Sequence, residues 1–222
     1  MNQYLLACQA VSILVLISCE DPVQDEMDVT AEYQLTFKST WSSMTHPFDF
    51  PARPHFSGLI GASHNAQFTV WEEGQLASVG IKDMAEKGQK TSLINEIDSL
   101  IQIGEANEIL SGDGIPTSPG NVTLTFQMNQ EFPLVSIVSM LAPSPDWFVG
   151  VSSLDLAADG MWKDSLTIDL YAYDAGTDSG EDYASDNLVT NPPENISMIE
   201  VSPFKVDDTI PSIGTFTFIR TD

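Results

Sequence analysis

Asp146 lies in Pro143-Ser-Pro-Asp-Trp-Phe-Val-Gly-Val151, and Asp174 in Tyr173-Asp-Ala-Gly-Thr-Asp-Ser-Gly180. Both stand at the end of an apolar run, among Pro, Gly and Ser. Carboxylates so placed can present oxygens to a hard cation. Calcium takes about six to eight oxygens from carboxylates, carbonyls and water, and tolerates irregular loops. The same aspartates can instead close turns by accepting backbone N–H groups. On residue types alone both readings stay open. The stretch from Asp155 to Asp186 holds nine carboxylates and one cation, Lys163. The EF-hand pattern D-x-[DN]-x-[DN]-G is absent, so any site must be assembled from separate loops. Asp178, Glu181 and Asp182 read as a solvated rim. Trp147 and Phe148 are either core or an exposed recognition tip.

Catalytic chemistry finds little support. The chain has three histidines, His46, His55 and His64, and no H-E-x-x-H or Cys/His cluster for zinc. His46 and His55 flank a proline-rich stretch and read as packing residues. Ser63-His64 pairs a nucleophile type with a base type, but adjacent side chains seldom face each other, and no third partner can be named. G-x-S-x-G, G-x-G-x-x-G and the P-loop pattern are absent. Carboxylate pairs suited to glycoside chemistry carry no specificity among 32 acidic residues. The expectation is a protein that is not an enzyme.

Those 32 acids face only 8 Lys and Arg, for a net charge of −24. Such a field repels phosphate backbones, which argues against a nucleic-acid partner. The 222 residues, 42% of them hydrophobic, suit one domain with a real core. Residues 1–19 read as a targeting leader: the apolar run Leu5 to Ile17 is too short for a permanent span. Leu16-Ile-Ser-Cys19 resembles the bacterial lipobox, with cleavage before Cys19 and lipid on its sulfur; a plain signal peptide is the alternative. The expected localisation is therefore export, with a lipid anchor at Cys19 to a bacterial membrane, periplasmic or at the cell surface. With Cys8 removed and Cys19 acylated, the mature domain has no disulfide. Residues 20–30 contain five carboxylates and read as an acidic tether, leaving 31–222 as the folded domain.

The elements that must position the acids are mostly strands. Tyr33, Leu35 and Phe37 alternate with polar residues, as in a strand with one buried face. Val122 to Met128 alternates likewise. Ala66–Trp71, Leu166–Tyr171 and Gly214–Ile219 are further strand candidates. Leu134 to Leu141 is almost continuously apolar, as expected of a strand covered on both faces. His46 to Phe56 contains three prolines, which remove ladder donors, so it reads as a loop held down by its aromatics. Ile81, Met84 and Ala85, then Leu93, Ile94, Ile97, Leu100 and Ile101, recur at helical spacing, with Gly88 separating two short helices. The fold class is all-β: an antiparallel β-sandwich of jelly-roll type with a short helical insertion.

Taken together, Trp41-Ser, His46-Pro, Phe50-Pro, Phe56-Ser-Gly-Leu-Ile-Gly-Ala-Ser-His64, Trp71, Glu86-Lys-Gly88 and the two aspartate phrases resemble the spondin N-terminal domain, from about Tyr33 to Arg220. The resemblance implies a C2-like β-sandwich of extracellular matrix and adhesion proteins, with one calcium ion. It implies calcium ligands at Asp146 and Asp174 and a third acidic ligand on the strand before the apolar run. Ungapped counting from Asp146 puts Gln127 at that third station. A carboxamide oxygen can coordinate calcium with one charge fewer, and a small gap would bring Glu131 there instead. The function expected is a calcium-binding adhesion or recognition module of a bacterial surface lipoprotein, its partner an extracellular protein or glycan. A carbohydrate-binding jelly roll and a calcium-dependent glycan hydrolase are the rivals.

Overall fold

A computed structural model describes residues 29–158 and 160–222. The leader, Cys19 and all but the last two residues of the tether lie outside the described residues. The described residues form thirteen strands and two helices. Strands β1 (Thr30–Ser39), β5 (Gly120–Asn129), β10 (Ser165–Leu170) and β13 (Gly214–Arg220) form a four-stranded antiparallel sheet in the order β10-β13-β1-β5. The second sheet runs β12 (Ser197–Met198), β11 (Tyr173–Asp174), β7 (Trp147–Asp155), β6 (Leu134–Ala142), β3 (Ile60–His64) and β4 (Ala106–Ser111). The short β2 (His55–Phe56) pairs with β6, while β8 (Ala157–Ala158) and β9 (Met161–Trp162) form a separate hairpin.

Period-2 patterning builds the first core. Ala31, Tyr33, Leu35 and Phe37 of β1 are fully buried and meet Phe126, Phe216 and Phe218 from their neighbours. Across the gap they face Val135, Ile137 and Leu141 of β6 and Trp147, Val149 and Val151 of β7. Alternate residues of the same strands, Val138 and Phe148, enter a second core on the outer face of the sheet. Two helices cover that face. α1 (Val79–Lys87) contributes Ile81, Met84 and Ala85, and α2 (Thr91–Gln102) contributes Leu93 and Ile97. A central strand covered on both sides must be apolar on both sides, as β6 is.

Local chemistry sets the helix ends. Ser78 caps α1 by accepting the Ile81 N–H. Gly88 closes it in the left-handed conformation, φ 64°, its N–H bonded to Met84. Trp41 pins the proline-rich segment, edge-on to Phe50 at 5.2 Å and Phe56 at 5.7 Å.

One strand expectation is corrected: 66–71 forms turns and bends. Asn65 accepts the Gln67 N–H in a local turn, and Val70 and Trp71 both enter the second core. Two consecutive residues pointing the same way break the alternation a strand requires.

Candidate metal centre

Asp146 precedes β7 by one residue, and its approach is set locally. Ser144 Oγ accepts the Trp147 N–H at 3.1 Å and donates to the Leu141 carbonyl, closing the turn that aims Asp146 inward. Asp174 ends β11, which pairs antiparallel with the start of β7 in the register Tyr173↔Phe148 and Asp174↔Trp147. That pairing brings the two phrases together: the Ala175 N–H bonds the Asp146 carbonyl at 3.2 Å.

The segment after Asp174 then wraps the Asp146 side chain. Asp146 Oδ2 accepts the Thr177 N–H at 2.7 Å, the Thr177 hydroxyl at 3.1 Å and the Asp178 N–H at 3.0 Å. The reversal depends on Gly176, whose φ is 73°; a Cβ there would meet the Glu194 carbonyl at 2.2 Å. Asp174 Oδ1 accepts the Gly176 N–H at 2.7 Å. Asp178 is buried and spends Oδ1 on the Gly180 and Leu188 N–H groups, so it pins the loop. Glu181 and Asp182 are exposed on the rim.

One atom is left over. Asp146 is fully buried, and its Oδ1 has no hydrogen-bond partner among the described residues. A buried anionic oxygen without a donor is costly. Burial, and then the Asp174 charge, push the Asp146 carboxyl up to about 6, against the pull of the Thr177 and Asp178 hydrogen bonds. Burial raises Asp174 too; the Gly176 N–H opposes this. The Trp147 indole N–H, buried with no hydrogen bond of good geometry, also acts to lower the Asp174 pKa. A divalent cation would satisfy the open oxygen and offset the repulsion between the two carboxylates. The donor set fits calcium, which accepts carboxylates from unrelated loops. Among the described residues no three Asp, Glu, His or Cys side chains converge, so carbonyls and water would supply the remaining oxygens.

Gln127 is not brought to this end, and the spacing-based placement is corrected. It lies on β5 opposite Glu32 of β1, exposed, and donates to the Glu32 carboxylate at 2.9 Å. β5 leads through a turn at 129–132 into Leu134, the far end of β6 from Ala142 and the Asp146 turn. A strand rises about 3.3 Å per residue, so β6 holds the two ends roughly 25 Å apart. Glu131, in that same turn, is equally remote. Thr177, missed in the sequence reading, is the residue that grips Asp146 most fully; its signal was its place in the Asp174 phrase beside Gly176.

Trp147 and Phe148 are core. Trp147 is 2% exposed and packs against Tyr183 at 5.3 Å and Phe204 at 5.2 Å; Phe148 is fully buried. The histidines serve packing and local bonding. His46 is buried between Thr45 and Pro211, edge-on to Phe204. Exposed His55 bonds the Arg53 carbonyl. His64 Nε2 meets Ser136 Oγ at 2.8 Å, both residues fully buried, while the Ser63 hydroxyl has no partner among the described residues. Burial lowers the His64 pKa. Ser63 and His64 therefore do not act on each other. No helix among the described residues is long and apolar enough to cross a membrane.

Comparison with known proteins finds relatives of this chain. The model of the family described as Spondin_N matches residues 31–209. The chain is 34% identical over 203 residues to Spondin-2 of Rattus norvegicus, covering 86% of this chain and 62% of that protein. It is 37% identical over 179 residues to Spondin-2 of Homo sapiens, 78% of this chain and 53% of that one. Against Spondin-1 of Gallus gallus it is 40% identical over 178 residues, 75% of this chain and 22% of the relative. The chain thus spans less than two thirds of the length of these relatives.

Proposed function

This chain belongs to the Spondin_N family, and on that premise we propose that it is an exported recognition module of adhesion type whose loop end is ordered by one calcium ion between Asp146 and Asp174. We further propose that lipid on Cys19 holds it at a bacterial membrane, periplasmic or at the cell surface. Its work is binding an extracellular protein or glycan rather than catalysis.

The observation that supports the cation is the orphaned Oδ1 of Asp146, buried beside a second aspartate. Calcium bound there would tie β7, β11 and the 174–180 loop together, stiffening one end of the sandwich for a partner. The test is thermal unfolding in calcium and in chelator. Ligand at about 100 times its Kd stabilises by about 2.7 kcal/mol, so calcium should raise Tm by several degrees. Asp146→Asn and Asp174→Asn should each abolish the rise. Coincident melting curves for the wild type with and without calcium would refute the cation.

A further inference from the structure

A cavity lies away from Asp146, on the flank where the two sheets part. It has a volume of about 740 Å³. β11 pairs only with the first two residues of β7, Trp147 and Phe148. Beyond them the flank of β7 is covered by the 68–73 segment, through the Trp71 indole N–H to the Val151 carbonyl at 3.1 Å and the Ser152 hydroxyl to the Trp71 carbonyl. Opposite stands β10, the last strand of the four-stranded sheet, whose outer edge carries no strand among the described residues. Gly150–Leu154 of β7 and Ile168 and Asp169 of β10 line the cavity together.

Its chemistry has one sign. Glu72, Glu73 and Asp169 are exposed at its walls, and no Lys, Arg or His lines it. The half-buried rings of Tyr171 and Tyr173 complete it. Glu73 stands close enough to Tyr173 that its charge adds to burial in raising the phenol pKa. The three acids do not converge as a metal set; they are spread along the walls. Of its aromatic lining, Trp71 is 6% exposed and Tyr173 stacks on Phe148 at 5.8 Å and 29°, while Phe68 and Tyr171 are half-buried. An unpaired strand edge supplies alternating N–H and C=O groups that an extended chain can join. Separated carboxylates and phenol rings suit guanidinium or ammonium groups along such a chain.

We propose that this cleft binds an extended basic peptide segment of a partner protein, laid along the free edge of β10, its Arg or Lys side chains between Glu72, Glu73 and Asp169. The proposal goes beyond the cation reading and needs no metal, since neither Asp146 nor Asp174 lines the cavity.

Because the whole chain is acidic, the test must separate this cleft from general attraction. The probe is acetyl-Arg-Thr-Arg-Thr-Arg-amide, titrated calorimetrically at about 0.15 M salt, where distant charges are screened. Glu72→Gln/Glu73→Gln/Asp169→Asn should weaken binding roughly tenfold or more, as expected for lost charge-assisted contacts. Removing three charges elsewhere, Asp113→Asn/Asp207→Asn/Asp208→Asn, should change it less than about twofold. On the wild-type protein, a peptide methylated at its backbone nitrogens should bind at least about tenfold more weakly, because methylation removes ladder donors. Binding should survive in chelator. Equal loss in both triple variants, indifference to backbone methylation, or no binding of the probe would each overturn the proposal. So would capture in this cleft of a neutral oligosaccharide instead of the peptide.

Discussion

Thr177 holds one oxygen of Asp146 with both its backbone N–H, at 2.7 Å, and its hydroxyl, at 3.1 Å, leaving the other oxygen buried without a partner among the described residues. The carboxylate is thus fixed in orientation and incompletely satisfied. That asymmetry is typical of a group shaped to meet something further, and it decides how the site should respond to pH, metal and mutation.

Protonation should stabilise the metal-free protein. The Asp146 carboxyl is raised from 3.8 to about 6 in the fold, so its charged form opposes folding. The penalty is absent below pH 3.8, develops between about pH 4 and 6, and is complete above. Two pKa units correspond to at most about 3 kcal/mol. In chelator, Tm should fall as pH rises from about 4 to 7. Asp146→Asn should flatten that slope relative to wild type, which corrects for the other acids. An unchanged slope in the variant would show that Asp146 does not titrate as argued.

Thr177→Val removes the hydroxyl but keeps the N–H. It should cost about 1.5–3 kcal/mol in urea unfolding, the usual loss for a hydrogen bond to a charged acceptor. Thr177→Ser, which keeps the hydroxyl, should recover most of it.

Gly176→Ala combines a left-handed φ of 73° with a contact of 2.2 Å to the Glu194 carbonyl. Strain and overlap together should destabilise by about 2–4 kcal/mol, read from the denaturation midpoint. The calcium-induced Tm rise should shrink with it, because this loop closes over Asp146.

Gln127→Ala tests the corrected placement. An exposed partner of Glu32 should change stability by less than about 0.5 kcal/mol and leave any calcium response intact. Loss of that response would restore Gln127 to the site.

Trp147→Ala should cost about 3–5 kcal/mol, as for other large core truncations. An exposed recognition tip would instead leave Tm unmoved.

Much of this was legible locally. The alternation of Tyr33, Leu35 and Phe37 marked β1, the two-sided apolar run marked β6, and Gly88 marked the break between helices. Each follows from side-chain direction or backbone freedom within a few residues. The aspartate phrases announced sharp turns through Pro, Gly and Ser for the same reason. The segment 66–71 misled because its composition suits a strand while its burial pattern is decided by a distant core.

Short-range chemistry was therefore enough to mark the phrases around Asp146 and Asp174 as turns and to give the type of fold that carries them. Their meeting depends on β11 pairing with β7 in one register, and Gln127 is set apart because β6 runs the height of the sandwich between it and Asp146. Distance along a chain carries no record of which end of a strand a residue reaches. Strand pairing settles that, through contacts between segments far apart in sequence.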